Sequence, residues 1–438
     1  MNFESTNESE RSAGATPTQT SRPANVPSDL SIDAQRLHDD LSALARIGRD
    51  DDRGITRRAF TDADRAGRDW FRQRAESAGL EVYEDGAANL SALLPGADPG
   101  APRVLVGSHL DTVPGGGPLD GAYGVLAGLE ALRVLKDRGV TLPRSLEVVD
   151  FTDEEGRFGG LFGSQALAGQ MTPERIHSAR DLEGVRLEDA MREWGLDPER
   201  ALTARRDPKS IRAFVELHIE QGPVLDQSRQ SIGVVEAITG LFKWEVRLIG
   251  QANHAGTTPM NLRRDAFQGL AEFAGEIDRL LEEHGGPNSR TTIGRVELKP
   301  GAANTVPGLA IFSLEARDTS PRILEDLARA MRRTLSSIAR RRDLMFEFDV
   351  LSEITPVACD AHVIETIAAA AEARGIKGHR MPSGAAHDAQ IMASIVPTAM
   401  IFVPSLQGRS HSSAEWTNAE DLECGANVLL ETMIRLAA

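Results

Sequence analysis

A chain of 438 residues and 47.3 kDa is too long for one ordinary hydrophobic core, so two domains are expected. Its 65 acidic against 49 basic residues leave a net charge of −16, which argues against nucleic acid or an anionic membrane surface as a partner. Two cysteines, Cys359 and Cys424, make no disulfide framework and read as buried thiols.

Residues 1–29 are rich in Ser, Thr, Pro and Glu and offer little to bury. They lack the basic start and apolar run of a signal peptide, and read as a disordered tail. No uninterrupted apolar segment reaches the roughly 18 residues of a membrane span, so the cytoplasm is the expected location. Leu37, Leu41, Leu44 and Ile47 recur at helical spacing, and a second helix is predicted from Thr61-Asp62 to Gly79. Strands follow at 103–106, 146–151 and 214–219, with an amphipathic helix through Val125, Leu129, Leu132 and Leu135. This alternation predicts an α/β domain with a parallel or mixed sheet. The order then changes. Strand-like 232–249, helical 265–284, strand-like 291–298 and 309–316, helical 323–341 and strand-like 344–350 give β-α-β-β-α-β. Helix 363–374, strand 397–403 and helix 419–436 resume the first pattern. The expectation is a domain at 30–230 and 345–438, interrupted by an α+β domain at 231–344.

Chemistry concentrates at strand ends. In 104-VLVGSHLDTVPGGGPLDG-121, His109 and Asp111 share one face of an extended segment, so Asp111 is placed to bond the far nitrogen of a metal-binding His109. Asp120 closes the glycine-rich loop; it fits a ligand or, more plainly, a helix N-cap. In 148-VVDFTDEEGRFGG-160, an apolar strand aims three consecutive acids. Adjacent side chains diverge there, so one of Glu154 and Glu155 can bind a cation while the other acts as a general base. The plainer account is a solvated acidic turn. His218 lies in the alternating run 214-FVELHIEQGP-223, where a lone histidine is usually structural. His411 lies in 408-GRSHSSAEWT-417, which misses the G-x-S-x-G elbow because Ser412 replaces the last glycine. His109, Asp120, Glu155, His218 and His411 together suit zinc, manganese, cobalt or nickel, and a carboxylate between two ions would make a two-metal site. H-E-x-x-H and P-loop motifs are absent.

The ordered set HLDTVP, TDEEGRFG, HIEQGP, NHAGTTPM, ANTVPG, EARD, SGAAHDA and GRSHSSAEWT resembles the amidase/carbamoylase branch of the dinuclear metallopeptidase/aminoacylase superfamily. That branch contains N-carbamoyl-L-amino-acid hydrolase, allantoate amidohydrolase and β-ureidopropionase. HIEQGP is its most telling motif, since the peptidase branches use an acidic ligand where this chain has His218. The resemblance implies a zinc-peptidase-like catalytic domain plus an inserted lid and dimerisation domain. It implies two divalent ions per subunit, one on His109 and His218, the other on Glu155 and His411, with Asp120 bridging. Glu154 would be the general base, and Asp111 the partner of His109. Gln221, Asn304 and Arg317 would bind the substrate carboxylate, a role that suits the planar arginine fork. His254 would reach a neighbouring subunit's site in a homodimer, and His387 would lie close to the substrate. The implied reaction is hydrolysis of a small ureido or carbamoyl acid. Aminopeptidase, dipeptidase or deacylase chemistry and a non-catalytic scaffold are the competing readings. Three details depart from the pattern: Ala386 and Ala88 stand where glycine is common, and GRFGGLFGS is short.

Overall fold

The computed structural model describes residues 22–24, 26–51 and 54–438. Its main body is a nine-stranded mixed sheet. At the centre, Leu146–Phe151, Arg103–His109, Ile211–Ile219 and Thr398–Val403 run parallel in that order. Leu146–Phe151 and Thr398–Val403 are buried along their whole length, which is why they read as mostly apolar; the two acids in the first strand, Glu147 and Asp150, are buried against Arg206 and Arg68. Glu81–Glu84 and Leu90–Leu94 extend one side antiparallel, and Gly233–Ile238 extends the other. Helices Ala122–Asp137, Ala361–Ala373 and Ala419–Leu436 cover the sheet and share one hydrophobic core with it. All four central strands end at the same edge, the place where open α/β sheets carry their sites.

The second body is a five-stranded antiparallel sheet, Val296–Lys299, Leu309–Asp318, Gly240–Ile249 and Met345–Ile354, with Arg290–Thr292 beside Leu309–Asp318. Ala266–His284 and Pro321–Arg341 pack on one face around a core of their own. Asp265 and Ser320 cap these helices, each accepting first-turn N–H groups.

Three expectations need correction. The run expected as one strand at 232–249 breaks at Thr239-Gly240, and its halves enter different sheets. A Cβ on Gly240 would lie 2.3 Å from the Ile354 carbonyl, so the two crossings between bodies run side by side. Met345–Ile354 pairs with Gly240–Ile249, which moves the inserted unit from 231–344 to 240–354. Residues 1–21 of the expected tail lie outside the described residues. Val26 and Leu30, by contrast, are buried in the main core, and Arg22 pairs with the buried Glu431, so the fold begins before residue 30.

Sequence reading also passed over the helical patch Phe162–Leu167, Pro173–Ser178 and Leu187–Glu193, whose helices are too short for a clear period. Ala88 adopts φ +64°, a left-handed conformation that explains why glycine suits that position. Cys359 and Cys424 are unpaired thiols; burial pushes them up to about 12 and about 11. No helix among the described residues is long and apolar enough to cross a membrane.

Candidate active site

The strand ends converge on Asp120. Its N-cap alternative fails, because Gly121 at φ +62° starts helix Ala122–Asp137 and frees the Asp120 carboxylate to turn inward. Asp120 Oδ1 lies 3.5 Å from His109 Nε2 and 3.1 Å from His218 Nε2. Its other oxygen lies 3.4 Å from His411 Nε2, which is 3.6 Å from Glu155. Two groups of candidate ligands therefore share one carboxylate: His109, Asp120 and His218, then Asp120, Glu155 and His411. A Cβ at position 121 would sit 2.4 Å from the His109 ring, so the loop approaches that close only with glycine.

The ring orientations fit a cation. His109 Nδ1 bonds the Asp111 carbonyl at 2.9 Å, and His218 Nδ1 bonds the Ile219 carbonyl at 2.8 Å. Those bonds leave both Nε2 atoms on the Asp120 side, where His218 Nε2 also accepts from the Gly121 N–H at 3.1 Å. A cation bound there would take the place of the proton that these nitrogens and the carboxylate share. Burial works against a charged His109, yet Glu154, Asp120 and Asp111 outweigh it and raise its pKa well above the ordinary value. Burial also lifts Asp120, but His218 and His109 prevail and hold it well below the carboxylate range. Burial, then repulsion from Asp120, pushes Glu155 up to about 8. Three imidazole nitrogens and two carboxylates at this spacing suit a borderline divalent ion.

The three consecutive acids go three ways. Asp153, at φ +55°, folds back to accept from the Phe158 N–H at 3.0 Å. Glu154 Oε2 faces His109 Nε2 at 3.5 Å and belongs to neither ligand group. Burial raises its pKa well above the ordinary value, opposed by His109 and reinforced by Glu155. Asp111 departs from its expected contact. Its carbonyl, not its carboxylate, holds His109, whose Nδ1 is 3.7 Å from Oδ1. The Asp111 carboxylate instead accepts from the Glu154 and Glu155 N–H groups at 3.3 and 3.1 Å, and so aims both glutamates.

Gln221, also at positive φ (+59°), donates to Asp120 Oδ2 at 2.8 Å. It opens onto a cavity of about 490 Å³ between the two bodies, which Arg317 and Gly384 also line. Arg317 bonds Glu315 and, across the gap, the Gly384 carbonyl, both at 2.7 Å. His387, 2% exposed, meets His218 edge-on from behind, with Nε2 3.1 Å from the Ser383 hydroxyl, so it reaches the site through His218. His254 and Asn304 sit together, since Thr305 pairs with His254 in register. Both are exposed on the inserted unit, and neither touches the Asp120 cluster among the described residues.

Several supporting residues went unread. Glu415 accepts from the Leu119 and Asp120 N–H groups at 2.8 and 3.0 Å, and Ser410 donates to Asp120 at 2.8 Å. Both flank His411 in the motif already singled out. Glu216 is fully buried between the Ser108 hydroxyl and the Ala389 N–H; its alternation with His218 was the available signal. Arg57 and Asp150 hold both backbone groups of Leu110, between His109 and Asp111, at 2.6 and 2.9 Å. Arg57 carried no sequence signal, being one arginine in a polar stretch.

The profile of peptidase family M20/M25/M40 matches residues 105–435. The chain belongs to this family. Within the M20/M25/M40 family it is 41% identical to the N-carbamoyl-L-amino acid amidohydrolase of Geobacillus stearothermophilus, over 93% of this chain and 99% of that one. It is 37% identical to the allantoate amidohydrolase of Escherichia coli strain K12, over 92% and 98% of the two chains. A crystal structure of a hydantoinase/carbamoylase family amidase from Burkholderia multivorans superposes with a TM-score of 0.88 at 36% identity, covering 94% of this chain and 99% of that one. Members of the M20/M25/M40 family are metal-dependent hydrolases, and the shared-carboxylate cluster is where this chain has ligands to offer.

Proposed function

We propose that this protein hydrolyses the carbamoyl C–N bond of N-carbamoyl-L-amino acids or related ureido acids, releasing ammonia and carbon dioxide. The observation that carries the proposal is the Asp120 carboxylate shared by two ligand groups, with Glu154 beside them and bound to neither. His109, Asp120 and His218 would hold one ion, and Asp120, Glu155 and His411 the other, from among zinc, manganese, cobalt and nickel. Two such ions would supply Lewis acidity and a nucleophile at neutral pH. Glu154 would take a proton from the attacking water and return it to the leaving nitrogen. Arg317 and Gln221 would hold the substrate carboxylate in the cavity, and Asn304 would join them. His254 would donate to the developing oxyanion in the cleft of a second copy, which makes the active form a homodimer acting in the cytoplasm. The identity to an allantoate amidohydrolase keeps allantoate as the second substrate reading.

Metal loading is expected to release protons. With Glu155 raised to about 8, its carboxyl is mostly protonated at pH 7, and it must ionise to bind a cation. About one proton per chain should leave Glu155 on manganese binding, in addition to those shed by His109 and His218, whose pKa values the neighbouring carboxylates raise, and affinity should climb with pH. Calorimetry in two buffers of different ionisation enthalpy reads this directly. Binding at pH 7 with no proton release would remove Glu155 from the ligand set.

A further inference from the structure

The wall of the cavity carries an arginine that the proposed reaction leaves unused. Arg290 and Arg317 stand directly opposite each other on adjacent antiparallel strands, and both line the cavity. Along Leu309–Asp318 the even-numbered residues are buried, so Arg317 and Glu315 lie on the sheet's open face. Directly opposed residues share a face, which puts Arg290 there too. Like charges in that position are destabilising unless an anion lies between or beside them.

The neighbouring charges do not supply one for Arg290. Glu315 serves Arg317. The Glu220 carboxylate is taken by the Val224 and Leu225 N–H groups at 2.8 and 2.7 Å. Arg380 is matched by Glu236 and Glu365. Arg290 donates only to the Pro287 and Ser289 carbonyls, with no carboxylate partner among the described residues. The cavity therefore holds a cation held in place by neutral groups and facing the space a substrate would fill.

We propose that Arg290 selects ureido acids with a second carboxylate on the side chain, Arg317 taking the first. The inference rests on the ureido-acid reading above. Opposed residues carry their Cβ atoms roughly 5 Å apart, a separation that the two carboxylates of a four- or five-carbon amino diacid can match. Each guanidinium can then pair its planar fork with one carboxylate.

The test is calorimetric binding of N-carbamoyl-L-glutamate and of its neutral isostere, N-carbamoyl-L-glutamine, to manganese-loaded protein carrying Glu154→Gln to stop turnover. The glutamate compound should bind at least about tenfold tighter, as a charge-assisted bidentate contact allows. Adding Arg290→Ala should erase that preference and leave the glutamine compound unchanged, while Arg290→Lys keeps part of it. Equal affinity for the two compounds, or no binding of either, would overturn the inference. So would equal weakening of both by Arg290→Ala, which would make Arg290 a second grip on the shared carboxylate. If the preference holds but the parent protein releases ammonia from no ureido acid, the inference stands and the hydrolase reading falls.

Discussion

Asp120→Ala is expected to strip the protein of both ions, not one, and to abolish turnover. The side chain sits 3.1 and 3.5 Å from the two imidazoles of one group and 3.4 Å from His411 of the other. Its removal leaves His109 with His218, and Glu155 with His411, two ligands for each ion where structural and catalytic sites use three or four from the protein. Loss of an outer partner alone costs about 10- to 100-fold in metal affinity, so loss of a shared ligand should exceed that. Metal content after dialysis, read by inductively coupled plasma spectrometry, checks the outcome. One ion retained at full occupancy would mean that Asp120 serves a single site.

Glu154→Gln is expected to do the opposite: keep both ions and lose the rate. Glu154 lies outside both ligand groups, and its carboxylate sits 3.5 Å from His109 Nε2. Gln is nearly isosteric but cannot accept and return a proton. General acid–base catalysis contributes about 10²–10⁴-fold, and kcat should fall within that span while metal content stays at wild-type level. Glu155→Gln, one residue on, should lose metal instead. A near wild-type rate in Glu154→Gln would move the proton transfer to another group.

The two glutamates illustrate what the sequence made legible. The strand before them is mostly apolar because it is buried along its whole length inside the sheet, and that run predicted that the acids are aimed at something. Which acid meets which partner depends on Asp153 turning back at positive φ and on Asp111 gripping two N–H groups, and neither is encoded by spacing. His109, His218 and His411 could be picked out as strand-end residues, but their convergence depends on strand order. Arg103–His109 lies between strands drawn from 146–151 and 211–219, and only the sheet topology brings those ends together. The domain boundary at 345 was misplaced because Met345–Ile354 alternates like any half-buried strand. Its partner, Gly240–Ile249, lies about a hundred residues back. His387 shows another limit: a histidine in a motif beside the site can face the substrate or serve from behind, and its burial against His218 separates the two cases.

The most direct test of the central claim is ammonia release by the manganese- or cobalt-loaded protein from N-carbamoyl-L-methionine, N-carbamoyl-L-glutamate, N-carbamoyl-β-alanine and allantoate. N-acetyl-L-methionine, assayed for free amino acid, runs alongside. The proposal predicts ammonia from at least one ureido compound, abolished by Glu154→Gln, and little or no turnover of the acetyl compound. Turnover of N-acetyl-L-methionine alone, with no ammonia from any ureido acid, would contradict it and make the protein a deacylase.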